Sequence, residues 1–264
     1  MGKIKYSFLI PYIDRIPQFR TTLESFIYHE YHLRGDIELV IVEDVKNFKN
    51  QHTRKNLADL LGAYVSRLPI YTLIAGEMEH WSPVTLFNVA AKHASGEYVI
   101  LTNPECAHQT NVLKGLDAHF EKFPESYAIA SCLSVLAESM TMEQLQHAKG
   151  KWYQHSKERN VLVHFCAAMK KEFYEKIGGF DEQYKFGVCF DDDDFRNRVM
   201  QAKILFEVLD DLVTVHLNHY KEQPPGYVKL HEINKKYFES VWGSNSFTAE
   251  KICVPAYEET EVTP

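Results

Sequence analysis

Asp191, Asp192, Asp193 and Asp194 stand side by side in the stretch IGGFDEQYKFGVCFDDDDFRNRV, residues 177–199. Four adjacent carboxylates repel one another. A helix over residues 195–201, carrying Arg196 and Arg198, would stabilise one or two of them through its macrodipole and free N–H groups. The others suit one of two chemistries: a base that takes the proton of an attacking alcohol, or oxygen ligands for a cation. A solvated acidic loop is the bland alternative. An EF-hand calcium loop is excluded, because its sixth position would be Arg196 instead of Gly and no Glu stands at its twelfth.

Carboxylates recur at three other points, each just after an apolar run. Asp14 follows Pro11 and Tyr12, Glu43 and Asp44 end IELVIVED, and Glu105 follows Asn103 and Pro104. The apolar runs read as buried strands over residues 6–10, 37–42, 70–74 and 98–102. Between them lie segments of helical spacing at residues 17–32, 53–66 and 82–94, with Ser82 as N-cap and Pro83 in the first turn. This alternation predicts an α/β fold with a mostly parallel, Rossmann-like central sheet flanked by helices. Ligands of such sheets bind at the carboxyl ends of the strands, where these acids fall. There is no G-x-G-x-x-G or G-x-x-x-x-G-K-[ST] loop, so bound phosphates would need another partner, such as a divalent cation on carboxylates.

The second half is less regular. Strands are expected over residues 127–135, 161–169, 204–208 and 212–217, a short helix over 141–149, a polar loop over 151–160, and an aromatic-rich helix over 227–241. Tyr227, Tyr237, Phe238 and Trp242 in that region are expected to pack, with stacking on sugars as the alternative. The tail from Thr248 reads as polar and loosely held.

The chain has 264 residues, 45% hydrophobic and 25% charged, which is the balance of a soluble protein with a sizeable core. Its net charge of −7 disfavours nucleic acid and anionic membrane as partners. No apolar run approaches a membrane span, and neither a signal peptide nor a myristoylation pattern is present at Met1-Gly2. The five cysteines include no C-x-x-C pair, so a reducing, cytoplasmic setting is expected.

Taken in order, YSFLIPYIDR, ELVIVEDV, NVAAKHASGEYVILTNPE, IGGFDE, DDDDFRNR and VTVH resemble the family 2 glycosyltransferases of the GT-A fold. The resemblance implies a nucleotide-binding half (residues 1–106) and an acceptor and catalytic half with a smaller sheet region (107–220), followed by a C-terminal helix and tail (221–264). It implies that Pro11, Tyr12, Asp14, Glu43, Asp44, Asn88, Asn103 and Gly179 contact the nucleotide-sugar donor. The family arginine before Asn88 is replaced by Phe87. The family metal motif Asp-x-Asp becomes Asn103-Pro104-Glu105, so Glu105 and His216 would hold Mn²⁺ or Mg²⁺, with His219 as a nearby substitute. Asp192 falls on the catalytic aspartate and Asp191 on the acid before it, and Arg198 is expected to fix Asp194 or the loop.

The resemblance therefore implies an inverting transfer from a nucleotide-diphosphate sugar, most simply a UDP-sugar, to a carbohydrate or glycoconjugate hydroxyl. Asp192 would be the base, its pKa raised by the crowd of acids. Two other readings stay open: an inactive relative that binds nucleotide sugars, and a metal-dependent nucleotidyl- or phosphotransferase. A peripheral membrane contact also stays open if the acceptor is lipid-linked.

Overall fold

A computed structural model describes residues 3–45, 52–80, 82–219 and 225–244. The tail from Thr248, with Cys253, lies outside the described residues. The first four strands are β1 (Tyr6–Tyr12), β2 (Ile37–Asp44), β3 (Ile70–Gly76) and β4 (Tyr98–Thr102), and they run parallel in the order β3-β2-β1-β4. Helices α1 (Ile16–Tyr28), α2 (His52–Tyr64) and α3 (Val84–His93) connect them. Residues along β1 alternate between two apolar layers: Tyr6, Phe8 and Ile10 pack with α1, while Leu9 packs with Phe87 of α3. Burial on both faces is why these strands read as continuous apolar runs.

Several helix boundaries differ from the sequence expectation, those of α1 and α3 for visible reasons. α1 stops at Tyr28, because Glu30 turns left-handed at φ 58° and Tyr31–Leu33 forms a separate 3-10 turn. α3 is capped at Pro83 with no side-chain cap bond, so Ser82 is not its N-cap.

The chain then adds β5 (Cys106–His108), α4 (Val112–Phe120), β6 (Ser126–Ser134), α5 (Met142–Gln146), β7 (Lys151–Gln154), β8 (Cys166–Lys170), α6 (Lys171–Lys176), α7 (Asp191–Gln201), β9 (Leu205–His216) and α8 (Tyr227–Trp242). β8 pairs antiparallel with β4 and extends the same sheet through β6, β9 and β5, with β7 on β6. β6 and β9 run parallel.

β9 is one strand where the sequence suggests two. Its register slips between Leu209 and Val213, and the Ser131 hydroxyl bonds the carbonyls of Asp210 and Leu212 inside the bulge. α4 escapes the sequence reading because Gly115 interrupts its apolar spacing. A Cβ at that glycine would run into the side chain of Leu212, so close packing of helix on strand requires the gap. The expected strand over 161–169 shortens to β8, since Leu162 adopts φ 56° and residues 161–165 peel away from the sheet. Residues 151–154 of the expected loop form the edge strand β7. Among the described residues, no helix is long and apolar enough to cross a membrane.

Candidate active site

The strand order reverses at β1, whose successors lie on opposite sides of it. β4 pairs with β1 only as far as Leu9, so the last turn of β1 has a neighbour on one side only. A cleft of about 510 Å³ opens there, and its lining includes Pro11, Tyr12, Asn103, Glu105, Asp191 and Asp192. A carboxyl-end crevice at a switch of strand order is where open α/β sheets bind ligands.

α7 starts four residues before the sequence-based boundary, so the acidic run is the first turn of the helix itself. Its free N–H groups and dipole favour all four charges. The two arginines then sort the run. Asp193 pairs with Arg196 at 2.9 Å and Asp194 with Arg198 at 2.7 Å, one helical turn on in each case. Arg196 is buried to 1% exposure and also donates to the Val161 carbonyl. Arg198 donates to the Ile177 and Gly179 carbonyls, tying α7 to the IGGF turn as the sequence suggests. Asp193 and Asp194 are thus structural, and Asp191 and Asp192 line the cleft.

The electrostatics separate these two acids. Burial and the neighbouring Asp192 charge push Asp191 up to about 7. Burial also acts upward on Asp192, but the adjacent His164 and the Arg196 charge outweigh it and hold Asp192 below the usual carboxylate range. The expectation that crowding raises Asp192 is therefore corrected: the rise falls on Asp191. His164 Nε2 lies 2.9 Å from Asp192 Oδ1, and the Asp192 side chain is 49% exposed. Sequence reasoning passed over His164, because a single histidine in the apolar run VLVHFC carries no spacing signal.

A second cluster reaches the same cleft through Glu105 and His219. The pairing of β5 with β9 sets Cys106 opposite His216, which brings Glu105 beside His216. Glu105 Oε1 lies 3.3 Å from His219 Nε2 and 3.8 Å from His216 Nε2. One ligand atom from each of the three residues falls within 4.8 Å of the others. Burial acts to raise Glu105, but the His219 hydrogen bond and the charges of His216, His219 and Arg15 hold it at about 2. A carboxylate oxygen with two imidazole nitrogens fits a divalent transition ion such as Mn²⁺, and suits Mg²⁺ less, which favours all-oxygen ligation. Asn103 lines the cleft outside this trio, and His219, the nearby substitute, joins His216 as a full member.

The remaining expected donor residues divide. Pro11 and Tyr12 line the cleft; the Tyr12 hydroxyl accepts from the Arg15 amide, and Arg15 lines the cleft as well. Asp14 is exposed in a left-handed turn at φ 37° and does not line it. Glu43 and Asp44 are buried at the end of β2. Asp44 accepts from the Met78 amide at 3.0 Å, so it supports the wall that Met78 forms.

Asn88 and Gly179 depart from the expectation: they lie outside the cleft, together in a neighbouring surface depression. Asn88 Oδ1 accepts from Tyr174 Oη and the Phe180 amide, and its Nδ2 donates to the Phe180 carbonyl and Glu182. A Cβ on Gly179, at φ 65°, would come within 2.5 Å of that Asn88 oxygen. The glycine makes room for the asparagine, and the asparagine holds the turn.

No curated protein matches the sequence. A family model described as the N-terminal domain of galactosyltransferase matches residues 162–223, which carry His164, α7, His216 and His219. Among solved structures, the chain is similar to S. aureus TarS 1-349 in complex with UDP-GlcNAc, at 15% identity and a TM-score of 0.65 over 94% of this chain and 69% of that one. It is similar to the mannosyltransferase PcManGT from Pyrobaculum calidifontis in complex with GDP-Man and Mn²⁺, at 16% identity and 0.59 over 91% and 65%. It is also similar to GalNAc-T7 with UDP, GalNAc and Mn²⁺, at 14% identity and 0.61 over 90% and 48%. The chain has the GT-A fold of glycosyltransferases. It spans 65% of the mannosyltransferase's length and less than half of GalNAc-T7. Within the GT-A frame, the cleft at the ends of β1 and β4 joins the two independently built clusters, Asp191–Asp192 on α7 and the trio of Glu105, His216 and His219.

Proposed function

We propose that the protein is an inverting glycosyltransferase of the family 2 type. It moves a sugar from a nucleoside-diphosphate donor to a carbohydrate or glycoconjugate hydroxyl. The observation that carries this reading is the convergence on one cleft of two carboxylates not paired with arginine, Asp191 and Asp192, with Glu105 and His219, two members of a metal-competent trio completed by His216. The similarity to TarS in complex with UDP-GlcNAc and to GalNAc-T7 with UDP supports a UDP-sugar donor.

Asp192 is the base. It is ionised at neutral pH and half-exposed to the cleft, so its carboxylate accepts the acceptor's proton as the hydroxyl oxygen bonds to the anomeric carbon. The bond from that carbon to the diphosphate oxygen breaks on the opposite side, which inverts the centre. Asp191, held near 7 and partly protonated, limits the negative charge beside the incoming donor. Glu105, His216 and His219 would hold the Mn²⁺ or Mg²⁺, whose charge stabilises the leaving diphosphate when bound. Pro11, Tyr12 and Arg15 border the donor side of the cleft.

The test is release of nucleoside diphosphate from UDP-, GDP-, CDP- and TDP-sugars, with and without Mn²⁺, in the presence of pooled glycan acceptors. Manganese-dependent release from one donor class, with NMR showing an inverted anomeric centre in the product, supports the reading. Pyrophosphate as product points instead to nucleotidyl transfer, and a retained configuration removes the single-displacement role of Asp192.

A further inference from the structure

His164 is a buried titratable side chain on the wall of the cleft that neither the metal trio nor the acidic run requires. It precedes β8 on the segment that peels from the sheet. Its ring meets three others edge-on: Phe180 at 5.0 Å, Phe195 at 5.4 Å and Phe87 at 6.1 Å, with interplanar angles of 67°, 66° and 87°. Those three phenylalanines come from the IGGF turn, α7 and α3, so the imidazole is gripped by the same elements that shape the cleft. The grip fixes the ring plane and aims Nε2 at Asp192 Oδ1, 2.9 Å away.

That distance determines which atom carries the proton. Asp192 is ionised at neutral pH, and an ionised carboxylate only accepts hydrogen bonds. Nε2 must therefore carry a hydrogen, whether the imidazole is neutral or charged. Asp192 thus has one oxygen fixed by a donor on a rigid ring, and the carboxylate keeps the second oxygen for a proton from the substrate.

We infer that His164 is the positioning residue of the Asp192 base, donating through Nε2 to one carboxylate oxygen so that the other is held toward the acceptor hydroxyl. This rests on the transferase reading above, and adds a residue and a role to it. The charged and titratable groups around the pair are Asp191 and Arg196 on α7 and Tyr127 on β6. Asp191 opposes ionisation of Asp192, whereas His164 and Arg196 favour it. Arg196 is already engaged by Asp193, which leaves His164 as the donor in direct contact.

The experiment compares wild type, His164→Leu and His164→Gln in steady-state transfer across pH. In His164→Leu, kcat is expected to fall up to about 100-fold through loss of orientation, with the KM for the donor unchanged. The acidic limb of its pH profile is expected to move to higher pH, because Asp192 has lost the group that favours its charged form. His164→Gln, whose amide N–H reaches a similar place, is expected to recover much of kcat. A limb that stays in place, or a glutamine no better than leucine, overturns the proposal and leaves His164 as packing.

A measurement without turnover keeps the pair testable if the leucine variant does not fold. The wild-type protein is expected to show an exchange-protected downfield imidazole proton by NMR that disappears in Asp192→Ala. Its persistence in that variant overturns the hydrogen bond. Wild type that turns over no nucleotide sugar removes the transferase reading, and the base role with it, whereas an active wild type with an unmoved acidic limb removes only the role of His164.

Discussion

Trp242 donates its indole N–H to Asp194 Oδ1 at 2.8 Å, joining the last turn of α8 to the first turn of α7. The same carboxylate takes Arg198 on its other oxygen. α8 also bonds Asp181 through the Tyr237 hydroxyl, and it clasps the loop before α7 through Asn234, whose amide donates to the Tyr184 and Cys189 carbonyls. Tyr237, Phe238 and Trp242 therefore do pack, as their spacing suggests, with Phe238 against Phe190, whereas Tyr227 lines the cleft, and the helix's polar atoms act as clamps on the acidic turn. That turn is entered through Cys189 and Phe190, both left-handed at φ 64° and 68°. Two consecutive non-glycine residues in that region are costly, which explains why so many side chains hold the loop.

Trp242→Phe keeps the ring and removes the donor. The buried Asp194 oxygen is then left without its partner, at an expected cost of roughly 1–3 kcal/mol. Urea denaturation of the two proteins measures it. Equal midpoints would mean that Arg198 alone is enough to hold Asp194.

Asn88→Ala and Gly179→Ala test the reassignment of these residues from donor contacts to supports of the turn. Each is expected to lower stability, by about 1–3 kcal/mol, through loss of the four Asn88 bonds or through collision with its oxygen. Nucleotide affinity is expected to be retained wherever the variant remains folded. Isothermal titration with nucleoside diphosphate and Mn²⁺ decides the point, and a selective loss of affinity in a stable Asn88→Ala protein would restore the sugar-side role.

The parts of the site that were legible in the sequence are those set by local pattern. β1, β2 and β4 are apolar runs that end in polar residues, so Tyr12, Asn103 and Glu105 could be placed at a ligand-binding edge before any coordinates. The acidic run was legible as unusual, but its division was not. Which acids are neutralised depends on Arg196 and Arg198 returning after one turn, and hence on a helix that begins at Asp191. His164 was illegible for a different reason: its partner lies 28 positions away and its cage comes from three separate elements. Asn88 and Gly179 occupy positions to which the family resemblance gives donor roles. Their mutual fit emerges only when α3 and the IGGF turn are brought together.

Asp191 predicts a pH dependence of stability. In the folded protein it titrates at about 7, against an ordinary value of 3.8. Between those two values the folded chain holds a proton that the unfolded chain has released, so stability falls as pH rises through that window and levels off above it. Asp191→Asn abolishes this term. The variant is expected to melt higher than wild type at pH 8, by an amount on the order of a few kcal/mol in stability, and to match it at pH 4. Thermal melts at the two pH values provide the comparison. A variant no more stable at pH 8 would mean that Asp191 titrates as an ordinary carboxylate.

Asp192→Asn and Asp193→Asn separate chemistry from structure between adjacent residues. The first leaves the arginine pairs intact and removes the proton acceptor, so turnover is expected to fall by about 10²–10⁴ with nucleotide affinity nearly unchanged. The second leaves buried Arg196 without its counter-charge, and breaking a buried pair in this way costs roughly 3–5 kcal/mol. Its expected signature is therefore a large drop in melting temperature. Parallel measurements of kcat, nucleotide affinity and melting on both variants test the division. Loss of binding together with turnover in Asp192→Asn would move that residue to the donor.

Glu105→Gln probes the metal trio without relying on turnover. A ligand that binds only the folded chain raises its stability by RT ln(1 + [L]/Kd), so Mn²⁺ with nucleoside diphosphate is expected to raise the wild-type melting temperature. Two of the three candidate ligands are imidazoles, so Mn²⁺ is expected to act at lower concentration than Mg²⁺. The glutamine variant keeps the volume and loses the charge that sits between His216 and His219, and its Mn²⁺ shift is expected to collapse. His216→Ala and His219→Ala should each weaken the shift as well, because each removes one nitrogen from the same point. An undiminished shift in Glu105→Gln would place the cation elsewhere in the cleft, with Asp191 and Asp192 as the next carboxylates within it.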